Sequence, residues 1–166
     1  PILKKFQNDP KSSYSAITFD KTDTTELKIL LLPFRPDIKS REIDIDYKAQ
    51  LLERLETLKE SKRLNIKVLD LNNYPTPKTE GEAISIGNEK NADMVIWGSY
   101  EENETVGKTN RIRLRYVLIT NFEIDNSKKI GDTEMQDVSN LSQLRHGYLQ
   151  ENIEYVIFWI QGIYYY

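Results

Sequence analysis

Three short aliphatic runs restrict this chain more than anything else in it: Leu27-Lys28-Ile29-Leu30-Leu31-Leu32, Ile66-Lys67-Val68-Leu69-Asp70-Leu71 and Met94-Val95-Ile96-Trp97-Gly98. The first and third are apolar on both faces of an extended backbone, the pattern of strands covered from two sides in a parallel sheet. Pro33 stops the first run, and Asn72-Asn73-Tyr74-Pro75-Thr76-Pro77 breaks the second. Parallel neighbours need a crossover, and the intervening segments supply two. From Ile45 to Glu60, Tyr47, Leu51, Leu52, Leu55 and Leu58 recur at three and four, with Lys48, Glu53, Glu56 and Lys59 filling the other face of an amphipathic helix. Asp44 is placed to cap that helix and Asp46 to favour its positive end. Thr79 to Asn91 reads as a second helix, with Thr79 as cap, Glu82 three residues later, and Ala83, Ile84 and Ile86 as a narrow buried stripe.

The later chain reads as an antiparallel addition. After a polar loop from Glu101 to Asn110, Ile112 to Ile124 is a long strand, and the turn residues Asp125-Asn126-Ser127 lead back through an edge strand from Thr133 to Val138. Gly147 to Tyr166 is a helix whose Ile153, Val156, Ile157, Trp159, Ile160 and Ile163 spread around it instead of along one stripe. It ends in Tyr164-Tyr165-Tyr166 without a polar cap, so further native chain is expected to cover it. Residues 1–26 form an extended lead-in with one short strand candidate, Ala16 to Phe19. Because Pro1 is neither an initiator Met nor part of a basic-then-apolar leader, the expectation is a chain cut from a longer one or relieved of its leader. The fold class is α/β: a mixed, mostly parallel sheet with flanking helices, βαβαβ then antiparallel strands, and an aromatic C-terminal helix. The expected organisation is a lead-in over 1–26, an α/β domain over 27–140, and a helix over 141–166.

Composition narrows the chemistry. At 166 residues the chain can bury about two thirds of its unfolded surface as one domain. It has no cysteine, which removes disulfides, thiolate catalysis and cysteine-ligated zinc, and leaves cytoplasm and periplasm equally compatible with the sequence. No apolar run approaches the length of a spanning helix. A net charge of -3 opposes non-specific attraction to nucleic-acid phosphates or an anionic bilayer.

Three segments carry a family resemblance: Ile29-Leu30-Leu31-Leu32-Pro33-Phe34, then Asn91-Ala92-Asp93-Met94-Val95-Ile96-Trp97-Gly98-Ser99, then Ile112-Arg113-Leu114-Arg115-Tyr116-Val117-Leu118-Ile119. In order and spacing, from about Leu27 to Asp137, they resemble the amino-terminal domain of TolB and its relatives. That family commonly has a glycine where Asn91 stands, and Asn is the non-glycine residue that best tolerates a left-handed helix end. Asp125-Asn126-Ser127 imperfectly matches the family's Asp and Thr-Gly turn. The resemblance implies an α/β domain that makes protein contacts or precedes repeats, and it supplies no catalytic residue. Phe158, Gly162 and Tyr165 also fall at the first-helix spacing of a tetratricopeptide repeat, with Gln161 at the usual leucine position.

No catalytic, cofactor or metal residues emerge. His146 is the single histidine and lacks the spacing of a triad or a zinc site. Glu42, Asp44 and Asp46, and Glu101, Glu102 and Glu104, do not complete a calcium loop and read as caps or solvated faces. Gly81, Gly87, Gly98 and Gly107 form neither GxGxxG nor a Walker A pattern. Arg111, Arg113 and Arg115 alternate on one strand face without an aromatic platform, and pairing with the nearby acids is favoured over nucleic-acid binding. The leading expectation is a protein-interaction module, its partner a protein or following helical repeats, contacted through Val156, Trp159, Ile160, Ile163, Tyr164 and Tyr165. The alternative is a small-molecule or nucleotide sensor at the carboxyl ends of the strands, lined by Phe34, Arg35, Asn73, Tyr74, Ser99 and Tyr100.

Overall fold

The computed structural model describes residues 17–22, 24–36, 47–61, 63–103, 109–119, 131–138 and 148–164. Its elements run β1 (Leu27–Pro36), α1 (Tyr47–Glu60), β2 (Ile66–Asp70), α2 (Glu80–Lys90), β3 (Met94–Asn103), β4 (Thr109–Leu118), β5 (Gly131–Val138) and α3 (Tyr148–Tyr164). The strands form one sheet in the order β2-β1-β3-β4-β5. β1 pairs in parallel with both β2 and β3, while β3-β4 and β4-β5 are antiparallel. The three aliphatic runs therefore lie side by side in an α/β fold, with the antiparallel strands added on one flank.

Side-chain alternation along the strands divides the interior into two layers. Leu27, Ile29 and Leu31 of β1 join Met94 and Ile96 of β3 and Ile112, Leu114 and Tyr116 of β4 on one face, beneath α1 and α3. Leu30, Leu32, Val95, Trp97 and Val117 form the other, beneath Ala83 of α2. Leu30 and Leu31 are both fully buried, as a strand covered on two sides requires. Each such side chain contributes about 1.5–3 kcal/mol. β2 is less buried because it is the outermost strand on its side.

Local chemistry sets the ends of α2. Thr79 is its N-cap and accepts a hydrogen bond from the Glu82 amide at 3.2 Å, while the Glu82 carboxylate accepts from the Lys78 amide at 2.7 Å. Asn91 ends the helix with φ 54° and ψ 40°, the left-handed conformation its side chain tolerates. The following Asp93 ties three strands together. Its carboxylate accepts from the Lys28 amide at 2.8 Å, its own amide donates to the Lys28 carbonyl, and its carbonyl accepts from the Ile119 amide.

The structure corrects four expectations. Ile17 to Phe19 pairs with no strand; instead the Phe19 amide donates to the Lys90 carbonyl at 3.0 Å, and its ring enters the α2-side core. β3 and β4 extend into the expected polar loop, where Glu101, Glu102 and Asn103 stand opposite Arg111, Asn110 and Thr109, because opposite charges across the pair support the ladder. β4 ends at Leu118, short of the expected Ile124, after which Ile119 bonds Asp93. Lys48 does not lie on the solvent face of α1; it is 5% exposed, held there by Asp70 and Asn72. Asp44, Asp46, Ala16 and the turn Asp125-Asn126-Ser127 lie outside the described residues.

Candidate functional site

α3 shows two faces once it is seated on the sheet. Ile153, Ile157 and Ile160, spaced i, i+4 and i+7, are at most 3% exposed and pack into the core shared with α1. The opposite side carries Tyr155 at 72%, Phe158 at 41% and Trp159 at 52% exposure, followed by exposed Gly162. At 100° per residue these four positions fall within an arc of about 100°, so the aromatic rings are neighbours on one outward face. Val156 sits at the boundary, half-buried against the core.

Two polar contacts accompany this seating of α3. Arg54 of α1 makes a bidentate pair with Glu154, Nε to Oε1 at 2.5 Å and Nη2 to Oε2 at 3.2 Å, and the hydrogen bond to Glu154 raises the guanidinium pKa further. Gln161 Nε2 donates to the Asn65 carbonyl at 2.8 Å, where α1 gives way to β2. With both made, the isoleucine stripe faces the sheet and the aromatic trio faces away.

The residues expected to contact a partner thus separate. Trp159 points outward, Ile160 is buried, and Val156 lies between; Ile163 and Tyr164 belong to the helix, while Tyr165 lies outside the described residues. Tyr155 and Phe158 were absent from that set, although their spacing from Trp159 opposes the isoleucine stripe and could have marked them.

The rim residues are divided by the sheet. Strand order reverses direction between β1 and β3, the usual position of a ligand crevice in open α/β sheets. A one-residue bulge in β1 between Leu31 and Phe34 puts Phe34 on the α1 side, against Gly98. Tyr100 is buried on that side, its ring 5.5 Å from Tyr47. Tyr74 is buried on the α2 side, with its hydroxyl 3.3 Å from Glu89 and the Lys90 ammonium 5.5 Å from its ring. Burial first, then the charge and hydrogen bond of Glu89, raises the Tyr74 pKa. Arg35 and Asn73 are exposed and Ser99 is half-buried. Near Asn73, Lys48 Nζ pairs with Asp70 and donates to Asn72 Oδ1 at 2.6 Å.

The arginine strand is engaged with acid. Arg111 and Arg113 both reach Glu101 Oε1, at 3.5 and 3.2 Å. Among the described residues, no cluster of three or more His, Asp or Glu could hold a metal ion, and no helix is long and apolar enough to cross a membrane. His146, Glu42 and Glu104 lie outside those residues.

Among protein families and curated proteins, nothing matches this chain. Solved structures similar to it include a variant of the PelC dodecamer from Paraburkholderia phytofirmans, 13% identical with a TM-score of 0.40 over 81% of this chain and 87% of that one. The LpoB C-terminal domain from Salmonella enterica is 15% identical with a TM-score of 0.39, over 70% of this chain and 85% of that one. The lipoprotein GNA1162 from Neisseria meningitidis is 14% identical with a TM-score of 0.36, over 78% and 96% respectively. At these identities and scores the likenesses assign no role to any residue described above.

Proposed function

We propose that the chain is a non-enzymatic protein-interaction domain whose contact surface is the outer face of α3. The observation that carries this reading is the placement of Tyr155, Phe158 and Trp159 together in water on one helix face. Aromatic rings gain most from burial, each about 1.5–3 kcal/mol when fully covered, and contiguous exposed apolar patches mark contact sites. A rigid base supports the face, because the isoleucines beneath it are locked into the core.

A binding role is favoured over catalysis by the residue inventory. The chain has one histidine and no cysteine, and two arginines of its most conspicuous basic cluster, Arg111 and Arg113, are already engaged with Glu101. The finer setting we propose, a TolB-amino-terminal-like domain within a larger repeat-containing bacterial protein, rests on the three strand segments and on the spacing of Phe158, Gly162 and Tyr165.

The test is a photo-reactive amino acid placed at Trp159 of the full chain in its own cells, with the exposed Glu60 of α1 as control. The expected result is a discrete protein adduct at position 159, lost when Tyr155→Glu is added and absent from position 60. Equal adducts at both positions, or none at 159, would remove the reading.

A further inference from the structure

We propose that the α2-side face of the sheet binds, above Ser99, the oxyanion of a small ligand, a phosphate or carboxylate group held between Arg35 and Arg115. The site lies across the sheet from α3 and stands independently of the reading of that helix. Alternation and register assemble it. Val95 and Trp97 of β3 and Val117 of β4 belong to the α2-side core, so Ser99, Glu101, Arg111, Arg113 and Arg115, spaced from them by twos, share that face. β1 brings to it a residue distant in sequence. The bulge that turns Phe34 towards α1 turns Arg35 the other way, directly beside Ser99. Ser99 thus has Arg35 on one flank and Arg113 on the other, each about 5 Å away between strands, with Arg115 diagonal to it at about 7–8 Å.

Donors and acceptors are unevenly shared over this face. Its acids stand in one row, Glu101 and Asp137 on either side of Arg111 in register, and Glu101 Oε1 takes both Arg111 and Arg113. The two rows beyond carry no carboxylate. Among the described residues, the side chains of Arg35, Ser99 and Arg115 make no hydrogen bond or ion pair. Opposite Arg115, Trp97 is 3% exposed and its Nε1 is buried without an acceptor. Four arginine positions against two acidic ones leave an excess of two positive charges. A half-buried guanidinium and a buried indole N–H call for an acceptor, and the planar fork of a guanidinium matches the paired oxygens of a phosphate or carboxylate. One such group suits the face better than a nucleic-acid backbone does. Successive phosphates would meet Glu101 and Asp137, and the aromatic ring in these rows, Trp97, is too buried to stack a base.

The experiment is calorimetric titration of the full chain with inorganic phosphate and, separately, with succinate, at constant ionic strength and against a chloride blank. It is repeated for Arg35→Gln, Arg115→Gln, Arg115→Lys, Ser99→Ala and, as control, Lys59→Gln on the exposed side of α1. One saturable site is expected, and the anion that fills it more tightly tells a phosphate ligand from a carboxylate one. Arg35→Gln and Arg115→Gln should each weaken that site about tenfold. Arg115→Lys, which keeps the charge and loses the fork, should also weaken it, Ser99→Ala by a smaller factor, and Lys59→Gln not at all. Neither anion binding beyond the chloride blank, or the Arg35→Gln and Arg115→Gln chains titrating as the native one does, overturns the inference. Binding of a thymidine oligonucleotide by a chain that takes up neither small anion overturns it too, in favour of a nucleic-acid surface.

Discussion

The ring of Phe34 lies against the backbone of Gly98, so closely that a Cβ built on Gly98 would stand 2.3 Å from Phe34 Cε1 and 2.6 Å from the Arg113 carbonyl oxygen. The contact fills the α1 side of the sheet where the end of β1 meets the middle of β3, and it exists because the bulge after Leu31 turns Phe34 onto that face.

Gly98→Ala should therefore destabilise the fold by about 1–3 kcal/mol, the usual range for overpacking. Phe34→Ala in the same chain should recover only part of the loss, since the Arg113 carbonyl is backbone and remains. Urea unfolding of the single and double variants measures this.

Asp70→Leu should cost about 3 kcal/mol, because it removes the carboxylate that pairs with the buried Lys48 ammonium and leaves it the neutral Asn72 amide oxygen. Lys48→Met with Asp70→Leu should be closer to native than Asp70→Leu alone, since an apolar pair leaves no buried charge. A double-mutant cycle in urea gives the coupling directly.

Asn91→Ala should lose about 1–2 kcal/mol, because alanine resists the left-handed conformation and cannot donate to the Phe19 carbonyl as Asn91 Nδ2 does at 3.2 Å. Asn91→Gly should fall within about 0.5 kcal/mol of native, where conformational relief offsets the lost hydrogen bond. Thermal unfolding of the two variants orders them.

Tyr74 should ionise late in an alkaline titration. Its folded pKa is raised above the ordinary phenol value, so the neutral form is favoured in the fold, and the associated stability is present in full below about pH 10 and lost as pH rises through the folded pKa. Phenolate absorbance should show a late-ionising phase that shrinks by one tyrosine in Tyr74→Phe. An unchanged late phase in that variant would contradict the assignment.

Much of the fold was legible in neighbouring residues, because the forces involved are local or periodic. Runs apolar on both faces can only be satisfied by cover from two sides, which placed β1 and β3 at the centre. A hydroxyl at Thr79 followed by Glu82 starts a helix wherever it stands, and Asn91 ends one because its side chain tolerates positive φ. The greasiness of α3 was equally plain, and the spacing of Ile153, Ile157 and Ile160 sets them opposite Tyr155, Phe158 and Trp159; which of the two faces turns inward is set by what the helix rests on.

The sequence by itself thus determined the strand and helix succession, the caps of α2 and the parallel core. Tertiary structure alone decided the rest. Lys48 is buried because Asp70 and Asn72, more than twenty residues away, receive it, and Phe19 leaves its expected strand because the end of α2 offers it partners. Ile160 turns inward and Trp159 outward because the core shared with α1 and the sheet takes up the isoleucine stripe, on the side where Arg54 and Asn65 also reach α3. Each of these outcomes depends on contacts between segments distant in the chain, whose energies enter only once the layers have closed on one another.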